Sequence, residues 1–119
     1  MSESAISAEV SFKLIIAIVK KGMASRAVAA GKKAGAGGGT ILLGKGTAKK
    51  SVYLDFLGMN FEPEKEIILT FVDESKADAV LQAFVDEGKL DKPGNGIAFV
   101  VNMKCLAGVC HLLKTMQAE

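Results

Sequence analysis

The sequence predicts a single α+β domain of the ferredoxin-like class, a double βαβ sandwich with two helices on one face of a four-stranded antiparallel sheet. Its 119 residues, half of them hydrophobic, are enough to form one buried core. Two strand-helix-strand patterns of similar length follow each other along the chain. Because a strand joined through a helix to a parallel strand takes a right-handed crossover, two such units in series place both helices on the same face.

The first unit begins with an almost continuously apolar, β-branched run at residues 12–19, which is typical of a buried strand. Residues 23–36 are rich in alanine and predict a weakly amphipathic helix, although Gly31 costs about 1 kcal/mol of helical propensity relative to alanine. The glycine-rich stretch 35–39 ends this helix, and residues 40–43 predict the second strand.

The second unit is better defined. Residues 67–72 predict a strand, and Asp73 supplies a capping oxygen for the helix that follows. Apolar residues recur at the spacing of one buried helical face: Ala77, Val80, Leu81, Phe84 and Val85. A turn at residues 88–96 ends the helix, and residues 97–103 predict the fourth strand. Since every strand also brings apolar residues to the face without helices, closed oligomerisation is expected.

Composition and charge argue against several classes of protein. A formal net charge of +2, without a basic stripe interleaved with aromatic residues, argues against nucleic-acid binding. The apolar run 14–19 is too short for a signal sequence or a membrane span, and two cysteines suit a reducing compartment, so a cytoplasmic protein is expected. Residues 1–11 are expected to be a flexible N-terminal segment before a single domain at 12–119.

The connection between the two units, residues 44–66, is unusually long for a compact domain. It predicts a mobile loop that recognises and binds a partner protein. It opens with glycines and lysines and contains the only tyrosine of the chain, Tyr53. It closes on three alternating carboxylates, interpreted as a solvated edge that pairs with lysines of a neighbouring chain: Glu62, Glu64 and Glu66.

Three features could bind an anion or do chemistry. The first is a pair of glycine-bearing turns at residues 44–46 and 93–96, which would let main-chain N–H groups approach a phosphate, although each turn alone is more typical of a hairpin or bulge. The carboxylates of residues 62–66 could do acid–base work, although a solvated edge is favoured. The remaining feature is the set Cys105, Cys110 and His111. It leaves buried thiols, an incomplete zinc site and a Cys–His nucleophile pair open, with buried thiols favoured. No catalytic or metal site is therefore predicted.

The chain resembles the PII signal-transduction proteins and their PII-like relatives in its order of elements, in the long connection after the second strand, and in the run Gly88-Lys89-Leu90 to Gly94-Asn95-Gly96-Ile97-Ala98-Phe99-Val100. The resemblance covers residues 12–103. It implies a homotrimer with clefts between subunits that bind an adenine nucleotide, ATP, ADP or AMP, with Mg²⁺ accompanying ATP. It also implies a T-loop at about residues 46–61 and a B-loop at about residues 87–96.

Transferred position by position, the resemblance implies two groups of nucleotide-binding residues and one partner-binding loop. The first unit supplies Ile18, Gly38, Thr40, Lys45 and Gly46. The B-loop supplies Gly88, Lys89, Gly94, Asn95 and Gly96, which would wrap the phosphates. The T-loop would contact the cytoplasmic face of a membrane transporter, or a metabolic enzyme, through Thr47, Lys49, Lys50, Ser51 and Tyr53.

The chain also departs from the family pattern. Ile97 and Glu64 stand where the family has lysines, with Lys65 only adjacent to the second position, and Gly108 and Cys110 stand at two arginine positions. Because each charge-assisted hydrogen bond contributes about 1.5–3 kcal/mol, these losses are expected to weaken triphosphate binding. The implied mechanism is a switch rather than catalysis, in which the ligand biases the T-loop between two states.

Three alternatives share this architecture. A small acylphosphatase-like hydrolase would need an arginine at a glycine-rich loop, whereas the only arginine, Arg26, lies within the first predicted helix. A trimeric metal-responsive protein would depend on Cys105 and His111 as ligands. A purely structural trimer would tolerate deletion of the central loop. The nucleotide-dependent switch ranks ahead of all three.

Overall fold

The computed structural model describes residues 12–46, 64–104 and 106, and within them the chain follows the order β-α-β-β-α-β. The strands are β1 (Phe12–Lys20), β2 (Thr40–Lys45), β3 (Glu64–Asp73) and β4 (Gly96–Asn102). The helices are α1 (Ala24–Lys33) and α2 (Ala77–Gly88), and a turn of 3-10 helix at Glu74–Lys76 precedes α2.

The strands form one antiparallel sheet in the order β2-β3-β1-β4, with β1 paired to both β3 and β4. Alternate residues of β1 and β3, among them Ile15, Ala17 and Ile68, are buried in one cluster with residues of both helices, among them Ala27 and Phe84. The two helices therefore cover the same face of the sheet. This arrangement confirms the predicted ferredoxin-like α+β sandwich.

Gly31 lets the two helices approach each other closely. A Cβ atom built on Gly31 would lie 2.7 Å from Cε1 of Phe84, the largest fully buried side chain among the described residues. A glycine in the middle of a helix lowers helical propensity, but here it makes room for the aromatic ring that fills the core. The tertiary contact therefore explains why α1 contains a residue that its local propensity disfavours.

The opposite face of the sheet is apolar and is covered by no helix in the described part of the chain. Two rows of side chains cross it, Leu42, Ile67, Ile18 and Ile97 in one row and Leu69, Ile16 and Phe99 in the next. The exposed fraction is 57% for Ile97 and 40% for Phe99. A contiguous apolar surface of this kind is typical of an interface.

Both strands beside the central connection extend further into it than the sequence indicates. β2 continues to Lys45 and β3 begins at Glu64, and these two residues are Cα partners across the strands. The predicted connection at 44–66 is therefore too long, because hydrogen-bonded pairing between the strands continues into it from both sides. The segment between the strands is 46–63, and the residues that flank it, Lys45 and Glu64, lie side by side on paired strands.

Glu64 and Glu66 both have partners within their own chain, and their predicted pairing with lysines of a neighbouring chain stays a prediction. Oε2 of Glu64 lies 2.9 Å from Nζ of Lys21. Oε1 of Glu66 accepts hydrogen bonds from the main-chain N–H groups of Gly22 (2.7 Å) and Ala24 (3.0 Å). Since Ala24 is the first residue of α1, this carboxylate on β3 caps the helix N-terminus. Glu62 lies outside the described residues.

Asp73 caps the start of the second helical segment, as the sequence predicts. Its Oδ1 accepts hydrogen bonds from the hydroxyl (2.6 Å) and the main-chain N–H (2.9 Å) of Ser75. These two hydrogen bonds hold the pKa of Asp73 below its ordinary value of 3.8, and the bond from the hydroxyl has the larger effect.

No helix within the described ranges is long and apolar enough to cross a membrane. The same residues contain no group of three His, Cys, Asp or Glu side chains that could hold a metal ion. The predicted flexible segment 1–11 and the residues Cys105, Cys110 and His111 lie outside the described residues, so their predicted roles stay predictions.

Candidate functional site

The turn that joins α2 to β4 begins with a lysine in the left-handed backbone conformation. Lys89 has φ 52° and ψ 47°, and no other described residue except glycine has a positive φ. Its N–H donates to the carbonyl of Asp86 (3.3 Å), and the N–H of Leu90 donates to the carbonyl of Val85 (3.0 Å). This pair of bonds is a Schellman motif. α1 ends in the same motif, with Gly35 at the equivalent position.

Lysine is energetically unfavourable at this position. The left-handed conformation costs a residue with a Cβ atom about 1–2 kcal/mol, a cost that glycine avoids. The chain uses glycine at the equivalent position of α1, where φ of Gly35 is 122°. A residue with a side chain held in this conformation, in a turn that lines a groove, is a candidate functional residue.

Much of the main chain of this turn is already hydrogen-bonded within the chain. Besides the two bonds of the helix end, the N–H of Lys92 donates to the carbonyl of Lys89 (3.1 Å) and that of Asn95 to the carbonyl of Lys92 (3.3 Å). Nδ2 of Asn95 also donates to the carbonyl of Lys89 (2.9 Å). These N–H groups are therefore already used within the turn. An anion beside the turn would depend on side-chain cations more than the sequence predicts.

Gly94 and Gly96, both predicted to bind phosphate, have different structural requirements. Gly94 has φ 85°, and a Cβ atom there would meet nothing within 4 Å. Gly96 has φ 136°, and a Cβ atom there would lie 2.0 Å from the carbonyl oxygen of Ile18 in β1. Gly96 is thus required by the β1–β4 pairing, whatever it contacts in a ligand.

A groove of about 270 Å³ opens between this turn, the start of α1 and the end of β1. Of the residues that the structure describes, three cations line it, Lys20 from β1, Arg26 from α1 and Lys89 from the turn, together with one carboxylate, Glu87. The remaining lining residues are Met23, Gly88 and Asn95. Three of the five predicted B-loop residues, Gly88, Lys89 and Asn95, therefore lie together at one groove. A groove with this excess of positive charge suits an anion.

Sequence reasoning missed Lys20, Arg26, Met23 and Glu87 as parts of this groove. Arg26 does lie within the first helix, as predicted, but the fold brings that helix against the turn after α2. Nε of Arg26 lies 3.2 Å from Oε1 of Glu87, and the two side chains are 69% and 33% exposed. No short motif contains both residues, so the signal that joins them is tertiary.

Three of the predicted residues of the first unit lie on the other edge of the sheet. Thr40 and Lys45 are the first and last residues of β2, Gly46 follows them, and β2 is separated from β4 by β3 and β1. Three strand spacings of about 4.8 Å put the two edges about 14 Å apart. Within one chain, these residues therefore do not meet the groove at the turn.

Lys45 nevertheless lies at the same end of the sheet as the groove. Lys45 pairs with Glu64, Lys20 pairs with Lys65, and Val19 pairs with Gly96. This end of the sheet therefore carries lysines at the ends of β1 and β2 and at the start of β3. Lys45 and Glu64, which flank the segment 46–63, also lie at this end.

The other predicted residues of the first unit are structurally constrained. Ile18 lies on the apolar face between Ile67 and Ile97. Gly38 precedes β2, and its carbonyl oxygen accepts a hydrogen bond from the hydroxyl of Thr70, which is 2% exposed. The predicted partner-binding residues Thr47, Lys49, Lys50, Ser51 and Tyr53 lie outside the described residues.

Comparisons with known proteins identify the architecture. No protein-family model matches the sequence, and no curated protein matches it. Among solved structures, PII from Arabidopsis thaliana bound to citrate is similar with a TM-score of 0.63 at 18% identity, covering 83% of each chain. A putative PII-like signaling protein from Thermus thermophilus is similar with a TM-score of 0.56 at 25% identity, covering 76% of this chain and 85% of that one.

Proposed function

We propose that this chain, which has the PII-like fold, is a regulatory protein that binds an adenine nucleotide in clefts between the subunits of a homotrimer. One observation carries the proposal. The cationic groove at Lys89 and the residues Lys45 and Gly46 lie at one end of the sheet but on opposite edges, with an apolar face exposed between them. Copies that cover this face with one another would bring the groove of one subunit beside β2 of the next.

The proposed ligand is ADP, AMP or ATP, with Mg²⁺ accompanying ATP. Lys20, Arg26 and Lys89 would supply positive charge to the phosphates, since all three residues line the groove. Gly38 and Thr40 of the neighbouring subunit would lie nearer the base. The Arabidopsis protein is bound to citrate, also an anion, which agrees with a cationic cleft in this fold.

Regulation would act through the T-loop, which we propose to lie at about residues 46–61 within a single domain at 12–119. The strand residues on either side of it, Lys45 and Glu64, lie at the same end of the sheet as the groove, so the ligand would bias the loop between two states. Only one state would fit the partner, a metabolic enzyme or the cytoplasmic face of a membrane transporter. The ligand's effect cannot exceed the difference between its affinities for the two states.

Lys89→Gly is expected to raise stability while weakening nucleotide binding. Glycine removes the strain of the left-handed helix end but gives the unfolded chain more conformational freedom, so the net gain in stability is about 0.5–1 kcal/mol. The same substitution deletes one phosphate-directed cation, which costs about tenfold in affinity. Titration calorimetry with ATP, ADP, AMP and cyclic AMP, paired with denaturation curves, measures both effects.

Lys92→Gln is the matched control, because Lys92 is exposed in the same turn but does not line the groove. It should leave both stability and affinity close to those of the unchanged protein. Absence of binding with all four nucleotides would contradict the proposed function. If the Lys89→Gly variant binds nucleotide with the same affinity as the unchanged protein, Lys89 does not contribute to the site.

A further inference from the structure

We propose that Arg26 is a phosphate-binding residue of the groove and that Glu87 controls its availability. The inference rests on the proposed function and identifies a residue pair that regulates that site. Arg26 projects from the first turn of α1, and Glu87 projects from the last turn of α2. Their ion pair joins the two helices beside the groove that both residues line.

The chemistry of Arg26 suits a phosphate group better than that of the neighbouring lysines. A guanidinium presents five N–H donors in a planar fork that matches two phosphate oxygens, whereas a lysine acts as a point charge. The contact to Glu87 runs through Nε at 3.2 Å, and Nε carries only one of these donors. The groove therefore contains a cation that can bind two oxygens at once.

The ion pair is weak enough for an anion to displace. The Arg26 and Glu87 side chains are 69% and 33% exposed, and an ion pair in contact with water adds little to stability. A phosphate group carries more negative charge than a carboxylate, and the cations at Lys20 and Lys89 in the same groove attract it further. Ligand binding would thus transfer Arg26 from Glu87 to the phosphate.

Glu87 then acts through Arg26 as a positioning residue. In the empty groove its carboxylate holds the guanidinium and lowers the net positive charge. When Arg26 binds a phosphate instead of Glu87, the carboxylate of Glu87 loses its ion-pair partner. The end of α2 and the turn at Lys89 then lie beside an unpaired negative charge. Occupancy of the groove is in this way coupled to the packing of α1 against α2.

The test uses inorganic pyrophosphate as the probe, with ADP titrated in parallel. Arg26→Gln is expected to weaken pyrophosphate binding about tenfold, and Arg26→Lys is expected to have an intermediate effect. Lys33→Gln, which removes the same charge at the far end of α1, should change affinity less than twofold. Because all these side chains are exposed, thermal denaturation should show that the variants remain folded.

Glu87→Gln is expected to strengthen pyrophosphate binding about threefold, since it frees Arg26 and removes a repelling carboxylate. Asp86→Asn, its neighbour outside the groove, should have little effect. In the Arg26→Gln background, Glu87→Gln should gain clearly less than threefold, because a double-mutant cycle isolates the coupling between the pair. Gains of equal size in both backgrounds would overturn the positioning role.

The outcomes separate this inference from the proposed function. ADP binding that is unchanged by Arg26→Gln would overturn the inference and leave the proposed function standing. Pyrophosphate binding that depends on Arg26, with no binding of any adenine nucleotide, would support Arg26 as a phosphate-binding residue and contradict the proposed function. Absence of pyrophosphate binding to the unchanged protein would overturn the inference directly.

Discussion

Replacing Gly96 with alanine is expected to destabilise the fold by about 3–5 kcal/mol. The new Cβ atom would lie 2.0 Å from the carbonyl oxygen of Ile18, and φ at this position is 136°. The obstructing atom belongs to the main chain of β1, so it cannot move away without disturbing the β1–β4 pairing at Val19 and Gly96. Both the contact and the backbone conformation oppose the substitution.

Gly94→Ala provides the matched control, two residues earlier in the same turn. Its φ of 85° also disfavours alanine, but a Cβ atom there would meet nothing within 4 Å. The expected cost is therefore about 1–2 kcal/mol, the strain of the left-handed conformation alone. Chemical denaturation of both variants at equal protein concentration measures the difference. Equal destabilisation would mean that the contact with Ile18 is not what requires glycine at 96.

Phe99→Asp is expected to convert the proposed trimer into monomers. Phe99 lies on the apolar face, opposite Ile16 of β1, and is 40% exposed in a single chain. A carboxylate buried between subunits would lose its hydration without gaining a partner, at a cost of several kcal/mol at each of the related positions. Nucleotide affinity should fall with the loss of the trimer, because each cleft would lack one of its two sides.

Ala79→Asp is the control for the added charge. Ala79 is exposed in the first turn of α2 and faces away from the sheet. The helix dipole stabilises a carboxylate in the first turn of a helix. Sedimentation of the two variants should therefore give a monomer for Phe99→Asp and an unchanged trimer for Ala79→Asp. A Phe99→Asp protein that remains trimeric would show that the subunits assemble through a different surface.

The fold could be predicted because its signals are local. β-branched runs such as residues 12–19 indicate strands, and the spacing from Ala77 to Phe84 indicates one helical face. Asp73 caps the second helical segment through the hydroxyl and N–H of Ser75, which are two residues away in sequence. Such contacts need no knowledge of the rest of the chain.

The candidate site was less predictable because its contacts join distant parts of the chain. Arg26 and Glu87 are far apart in sequence and meet only because α1 packs beside α2. Glu66 reads as a solvated acid in sequence, yet it caps α1 from β3. Gly96 matches a phosphate-binding position by resemblance, while its contact with Ile18 already requires glycine. In each case the deciding neighbour lies on another element.

The central claim is that each nucleotide site is shared between two subunits, and mixed trimers test it most directly. Lys89→Glu damages the side of a cleft formed by the turn, and Lys45→Glu damages the side formed by β2. Each homotrimer should therefore fail to bind. If the two variants are unfolded together in equal amounts and refolded, every mixed trimer contains one cleft in which both sides are intact.

Titration of the refolded mixture with ADP should then recover about a quarter of the binding sites, because random assembly makes about three quarters of the trimers mixed and each has one intact cleft of three. A mixture that binds no more ADP than the two separate variants would contradict a shared site. It would place nucleotide binding, if any, within a single chain.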